Sequence, residues 1–384
     1  MRLWETSEYQ RVLGQVGAST EQDGSCKNQK VNRGEKEMGI PRARFIIDTH
    51  VHAQRHLAKF KEKGIKGDFK TLSKEMRLME TYDNSPRLLY DMERYGVDMC
   101  VLQPAFGMTN ELNAEIVGNH PDKFLAMCLP VQTMQKALRG EAEWTAEAAA
   151  RELDELLGTG LYRAGIGEGL PRHPNPTKMV SWPERLEELR LFMEVARKHK
   201  VPVSYHTGAI TGYSSGSSRR MSAPERIDPL LAFDLAAEYP DVPIIMAHGG
   251  MQGWWSEKFM DDTFQVAATF NNVYVETGLY WADLYEKPLA DPNIGPRKLI
   301  WGTDWGASIV VHSRPGHHPS SYADQIKPWG LPKHQPDIYG WSLRQVDKMA
   351  DNMDLSQDDL NLILGGNAAR LFGIELPHTR LFRE

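Results

Sequence analysis

From Phe45 onward the chain alternates between two hydrophobic rhythms. Short apolar runs, several of them nearly continuous, fall at Phe45–His50, Val97–Ala105, Phe124–Val131, Arg163–Gly169, Pro202–Gly208, Pro243–Gly249, Val273–Gly278 and Leu299–Gly306. Runs apolar at odd and even positions alike are expected of parallel strands buried on both faces. Between them apolar residues recur at helical spacing, as in a helix with one buried face. Ser85–Tyr95 carries Leu88, Leu89 and Met92 on one side, and Glu184–Lys200 carries Leu186, Leu189, Phe192, Met193 and Val195. Asp228-Pro229 predicts the N-cap and first turn of a helix over Asp228–Tyr239. Ser356-Gln-Asp-Asp359 predicts a capped start for a final helix that runs to Phe372 and stops at Gly373. Alternating strands and helices predict an α/β chain of parallel βαβ units, and eight strands close a (β/α)8 TIM barrel. An open, doubly wound sheet is the alternative, but it would not bring the ends of the first, fifth, sixth and eighth strands together.

Residues 1–40 break this pattern. Gln15 to Lys36 is polar and poor in large apolar residues, which predicts a flexible N-terminal arm ahead of one barrel domain, residues 41–384. Met38 stands just before the first strand, so translation is expected to begin there in the cell. The arm lacks the apolar core of a signal peptide. No apolar run approaches the ~20 residues of a membrane span, so no membrane partner is expected. The net charge of −6 is spread along the chain with no basic stripe, which argues against nucleic acid. Three cysteines (Cys26, Cys100, Cys128) lack zinc-site spacing, and a reducing cytoplasm fits them.

The chemistry lies at the strand ends. Alternate residues of a strand share a face, so His50 and His52 point the same way. His206, His248 and Asp304 stand at the ends of later strands, at the face where barrel active sites form. Singly, each histidine is equally well read as hydrogen-bonding nearby backbone; together they predict a site for a divalent metal. Imidazoles and a carboxylate suit zinc, iron, manganese or nickel. Glu168, ending the fourth strand, reads by position alone as a salt-bridge partner of Arg163 or Arg172 at the barrel mouth. Glu276, ending the seventh, is expected to orient a histidine ligand rather than bind metal.

These residues carry a resemblance. Asp48-Thr-His-Val-His52, Tyr205-His-Thr-Gly208, Ala247-His-Gly-Gly250, Gly302-Thr-Asp-Trp305 and Gly365-Gly-Asn-Ala-Ala-Arg-Leu-Phe372 resemble the amidohydrolase superfamily. The likeness is to its amidohydrolase-related branch, which includes aminocarboxymuconate-semialdehyde decarboxylase. It implies that His50, His52 and Asp304 ligate a first ion and that His206 is a ligand. His248 is implied as a ligand or as a stabiliser of the transition state. A second ion is implied if Glu168 bridges.

Three chemistries fit such a site. In the leading one, a metal-bound hydroxide attacks a small amide, ester or lactone, Asp304 handles the proton and His248 steadies the oxyanion. The others are non-oxidative decarboxylation of a small acid and hydroxylation at a dinuclear iron or manganese–iron centre. A structural metal barrel supporting a partner subunit is the non-enzymatic alternative. The long segment Thr207–Arg226 reads as a lid or equally as a solvated charged loop, and Gly306–Pro336 as a lid or subunit contact. Arg219 and Arg220 are candidates to clamp a substrate carboxylate, and Trp254 and Trp305, with Trp255 and Trp301, to wall an aromatic pocket. His312, His317, His318 and His334 match no closed ligand set. A homo-oligomer, or pairing with a related subunit, is expected from the resemblance.

Overall fold

The computed structural model describes residues 45–56, 78, 80–105, 107–168, 170–171, 173–174, 180–208, 228–251, 256–306 and 338–376. The N-terminal arm, Met38 and Cys26 lie outside them. Eight parallel strands form one sheet: β1 (Ile47–Val51), β4 (Met99–Leu102), β5 (Phe124–Cys128), β6 (Gly165–Ile166), β7 (Val203–His206), β8 (Ile244–Ala247), β9 (Val273–Glu276) and β10 (Leu299–Ile300). Each lies within the apolar run that predicted it, except that β1 runs one residue further, to Val51. The sheet closes where Thr49 N–H donates to the Trp301 carbonyl (3.0 Å) and His52 N–H to that of Trp305 (2.7 Å), with a parallel bridge from Val51 to Trp305. With helices between the strands, this is a (β/α)8 barrel.

Local chemistry sets the helix ends. Gly96, at φ 70°, ends Ser85–Tyr95 in the left-handed conformation that a glycine C-cap supplies. Ser181 and Glu184 form a reciprocal capping box on Trp182–His199. Asp228 Oδ1 accepts from the Leu230 N–H (2.9 Å), but Asp228–Leu230 make a tight turn and the helix itself is Leu231–Glu238. The last helix starts at the Ser356 cap and ends at Gly373, as the sequence predicts, with one wide π turn at Leu362–Gly366. A side chain at Gly365 would collide with the Phe45 carbonyl. Glycine there lets this helix rest against the start of β1.

Two apolar layers result. Cys100, Leu102, Ala126, Cys128 and Met246 pack outward among the helices. Ile47, Met99, Val101, Leu125, Met127, Ile245 and Ile300 cluster with Ala368, Ala369 and Phe372 of the last helix. That cluster is the floor beneath the site. One element has no counterpart in the sequence reading: β2 (Gln54–His56) pairs antiparallel with β3 (Thr81–Asp83) just beyond the end of β1.

Candidate metal centre

His50 and His52 do converge. Their Nε2 atoms lie 3.2 Å apart, both rings buried. Each ring is fixed through its other nitrogen. His50 Nδ1–H donates to both oxygens of Glu276 at 3.1 Å, and His52 Nδ1–H donates to the Gln103 carbonyl at 2.8 Å. A histidine so held presents its Nε2 lone pair to whatever lies opposite. Opposite lie two carboxylates. Asp304 Oδ1 is 3.0 Å from His52 Nε2 and 3.6 Å from His50 Nε2. Glu168 Oε2 is 3.5 Å from His50 Nε2 and 3.7 Å from His52 Nε2.

The other oxygen of Glu168 faces a second pair. Oε1 contacts His206 Nδ1 and lies 2.9 Å from His248 Nε2. One carboxylate therefore spans two histidine pairs, one oxygen to each. Among the described residues it has no ion pair with Arg163; Arg172 lies outside them.

Backbone strain marks two of these positions. His248 (φ 62°) and Asp304 (φ 56°) are left-handed without being glycine, a conformation that persists only where neighbours enforce it. For His248 the neighbours are visible. Glu276 Oε1 accepts from its N–H (3.0 Å). Tyr280 Oη donates to the Gly249 carbonyl (2.6 Å), and Thr207 Oγ1 accepts from the Gly250 N–H (2.7 Å). Glu276 thus contacts the His50 ring and the His248 backbone together, and with His50 and His248 it also forms a group able to hold an ion. It fits because position 302 is glycine, where a Cβ would lie 2.7 Å from the Glu276 carboxyl carbon.

The donor set suits cations. With both Nδ1 protons committed, His50 Nε2, His52 Nε2 and Glu168 make a group able to hold an ion, and Asp304 Oδ1 stands 3.0 Å from His52 Nε2. An ion about 2.0–2.1 Å from each ligand separates neighbouring ligands by about 3.0–3.4 Å. The measured 3.0–3.7 Å separations are close to that. His206 and His248 with Glu168 make a second group able to hold an ion.

Without an ion, protons must balance this charge. Burial works to lower the His50 pKa, but Glu276 and Glu168 outweigh it and hold it well above the ordinary value. Burial likewise opposes protonation of His248, and Glu168 and Asp304 outweigh it. Burial would raise Glu168, yet His206, His248 and His50 hold it well below the usual carboxylate range. Asp48 is pushed up to about 7 by burial, against hydrogen bonds from Thr303 and the His50 N–H.

The sign of the resulting pH dependence follows. Raised His50, His248 and Asp48 values mean that the native state binds more protons than the unfolded chain, so ion-free stability falls as pH rises through those values. The contribution of Glu168 is lost only as pH falls through its depressed value, well below neutrality. Ion binding runs the other way, because the ion displaces protons. The ion-free protein should melt at a lower temperature at pH 8 than at pH 6, and adding zinc or manganese at pH 7 should release about one to two protons per chain. Thermal melts and a pH-indicator titration check both.

The remaining residues singled out in the sequence are placed differently. Trp305 is buried; its indole N–H donates to Asp91 Oδ2 (3.1 Å), and the Arg55 guanidinium lies 5.5 Å from its ring centroid. Trp301 is fully buried and donates to Ser342 Oγ (2.9 Å). Arg219, Arg220, Trp254, Trp255 and the histidines at 312, 317, 318 and 334 lie outside the described residues. Two participants escaped the sequence reading. Gln103 supports His52 through a backbone carbonyl, which no side-chain pattern reveals. Arg55 had a signal, a lone arginine three residues past His52 in a segment that proves buried.

A family model described as amidohydrolase matches residues 47–374. Among curated proteins none matches the sequence. Solved structures are similar to the chain as well. A dihydroxybenzoic acid decarboxylase from Polaromonas sp. JS666, with bound manganese and the inhibitor 2-nitroresorcinol, aligns at TM-score 0.50 and 16% identity over 88% of this chain and 99% of that one. A probable 2-pyrone-4,6-dicarboxylic acid hydrolase from Acinetobacter baumannii, with citric acid bound, gives 0.48 and 14% over 85% and 99%. An amidohydrolase 2 from Bifidobacterium longum subsp. infantis gives 0.43 and 16% over 86% and 99%. At 16% identity the likeness to the first of these is one of fold alone. The family match runs from the first residue of β1 to just beyond the last helix, and the chain belongs to the amidohydrolase family.

Proposed function

We propose that this chain is a metal-dependent hydrolase of a small amide, ester or lactone, built on two ion positions joined by Glu168. The observation that carries the reading is the division of Glu168, with Oε2 toward His50 and His52 and Oε1 toward His206 and His248. His50, His52 and Asp304 would hold one ion, His206 and His248 the other. Held there, such ions would supply Lewis-acid chemistry, polarising a substrate carbonyl and acidifying water.

The chain's own residues supply the rest. Asp304 Oδ1 has no hydrogen-bond donor among the described residues, so in this reading it is free to take the proton of the attacking water. Its left-handed backbone holds the carboxylate at the centre. His248, whose backbone N–H is held by Glu276, would serve in this two-ion reading as a ligand of the second ion beside His206. Glu276 keeps His50 in the tautomer that offers Nε2.

Metal analysis of protein purified without chelator or affinity nickel, followed by a panel of amides, esters and lactones, tests the reading. The expected result is about two ions per chain and turnover that persists without dioxygen and liberates no carbon dioxide. Turnover that stops anaerobically would replace hydrolysis with hydroxylation, and carbon dioxide release would replace it with decarboxylation.

A further inference from the structure

Arg55 is buried, 7% exposed, in the middle of β2, three residues beyond His52. Burying a charge is costly unless it is paired. The other deeply buried arginine follows that rule, with Arg185 Nη1 2.9 Å from Glu188 Oε2. Arg55 does not: no carboxylate among the described residues pairs with it. Its hydrogen bonds to them all leave from Nη1, to the carbonyls of Gln54 (3.3 Å) and Gly306. Nε is buried and has no partner there. One edge of the guanidinium is thus fastened to backbone, while the Nε–Nη2 edge keeps its donors. That edge is the fork a carboxylate engages through two parallel bonds.

Location gives the fork a purpose. Gly306, which Arg55 grips, lies two residues past Asp304, and β2 begins two residues past His52, so the guanidinium stands beside two candidate ion ligands. Trp305 lies against it, 5.5 Å from ring centroid to guanidinium carbon, which fixes its plane. Asp304 is the carboxylate whose charge it feels, and an ion on Asp304 would neutralise that charge.

We infer that Arg55 anchors a carboxylate arm of the substrate, distinct from the group that reacts at the ion positions. The substrate is then a small acid that also carries the reacting bond. The inference rests on the hydrolase reading only for the nature of that bond.

Calorimetric titration of the full-length, metal-loaded chain with acetate and with malonate, succinate and glutarate tests it. One carboxylate of each diacid can sit at the ions, and only the second can reach Arg55. In the wild type at least one diacid should bind about tenfold or more tightly than acetate, as one charge-assisted pair allows. In Arg55→Met that preference should fall to about twofold, the statistical factor, with acetate affinity and ion content unchanged. Arg55→Lys should keep part of it. Wild-type protein that prefers no diacid overturns the inference, as does Arg55→Met that keeps the preference. Loss of ions from both variants also overturns it, leaving Arg55 as a fastener of the barrel seam. Failure of the hydrolase reading is seen separately, in ion content and amide or ester turnover, and leaves the diacid comparison intact.

Discussion

Replacing Glu168 with Gln should leave the barrel folded, lower ion content by about half and cut turnover by at least ~10²–10³-fold. Glutamine keeps the shape of the side chain but offers one good ligand oxygen in place of two, so it can serve one histidine pair and not both. The remaining ion should be the one at His50, His52 and Asp304, where other donors still surround it. His206 and His248 lose the negative oxygen between them; in the ion-free protein, His248 also loses the main partner that holds its pKa up. Metal analysis beside a thermal melt separates the outcomes. Two ions retained in the variant would mean that Glu168 does not bridge, and the centre would have to be read as two independent sites.

Replacing Asp304 with Asn should cut kcat by about 10²–10⁴-fold with KM, fold and ion content little changed. The amide oxygen can still face His52, from which Asp304 Oδ1 is 3.0 Å distant, but it cannot take a proton at neutral pH. A variant that keeps most of its kcat would leave Asp304 as a ligand alone and return proton transfer to another group. Steady-state kinetics on the substrate found by the panel, with metal analysis of the same sample, decides it.

Much of the architecture was written in hydrophobic rhythm, because a strand buried on both faces has to be apolar throughout. The strand ends were less legible. The runs ending at Gly249 and Gly306 stop, as strands, at Ala247 and Ile300, since His248 and Asp304 take left-handed backbone that no polarity pattern encodes. β2 and β3 are three residues each and mostly polar, and their partners are far apart in sequence. Among site residues, side-chain type betrayed the histidines, Glu168, Glu276 and Asp304. It could not disclose which Glu168 oxygen meets which pair, since that depends on two strands carrying His206 and His248 to one side of it. Nor could it disclose that the Trp305 indole N–H is held by Asp91, a partner far away in sequence.

The packed floor of the barrel has a consequence for traffic. Ile47, Met99, Val101, Met127 and Ile300, closed from below by Phe372 and its neighbours, leave no passage through the interior that the described residues would provide. Everything the centre exchanges, ions included, then shares the doorway at the strand ends. A diacid seated there should act as a cork, and the rate at which a chelator strips the ions should fall in proportion to its occupancy.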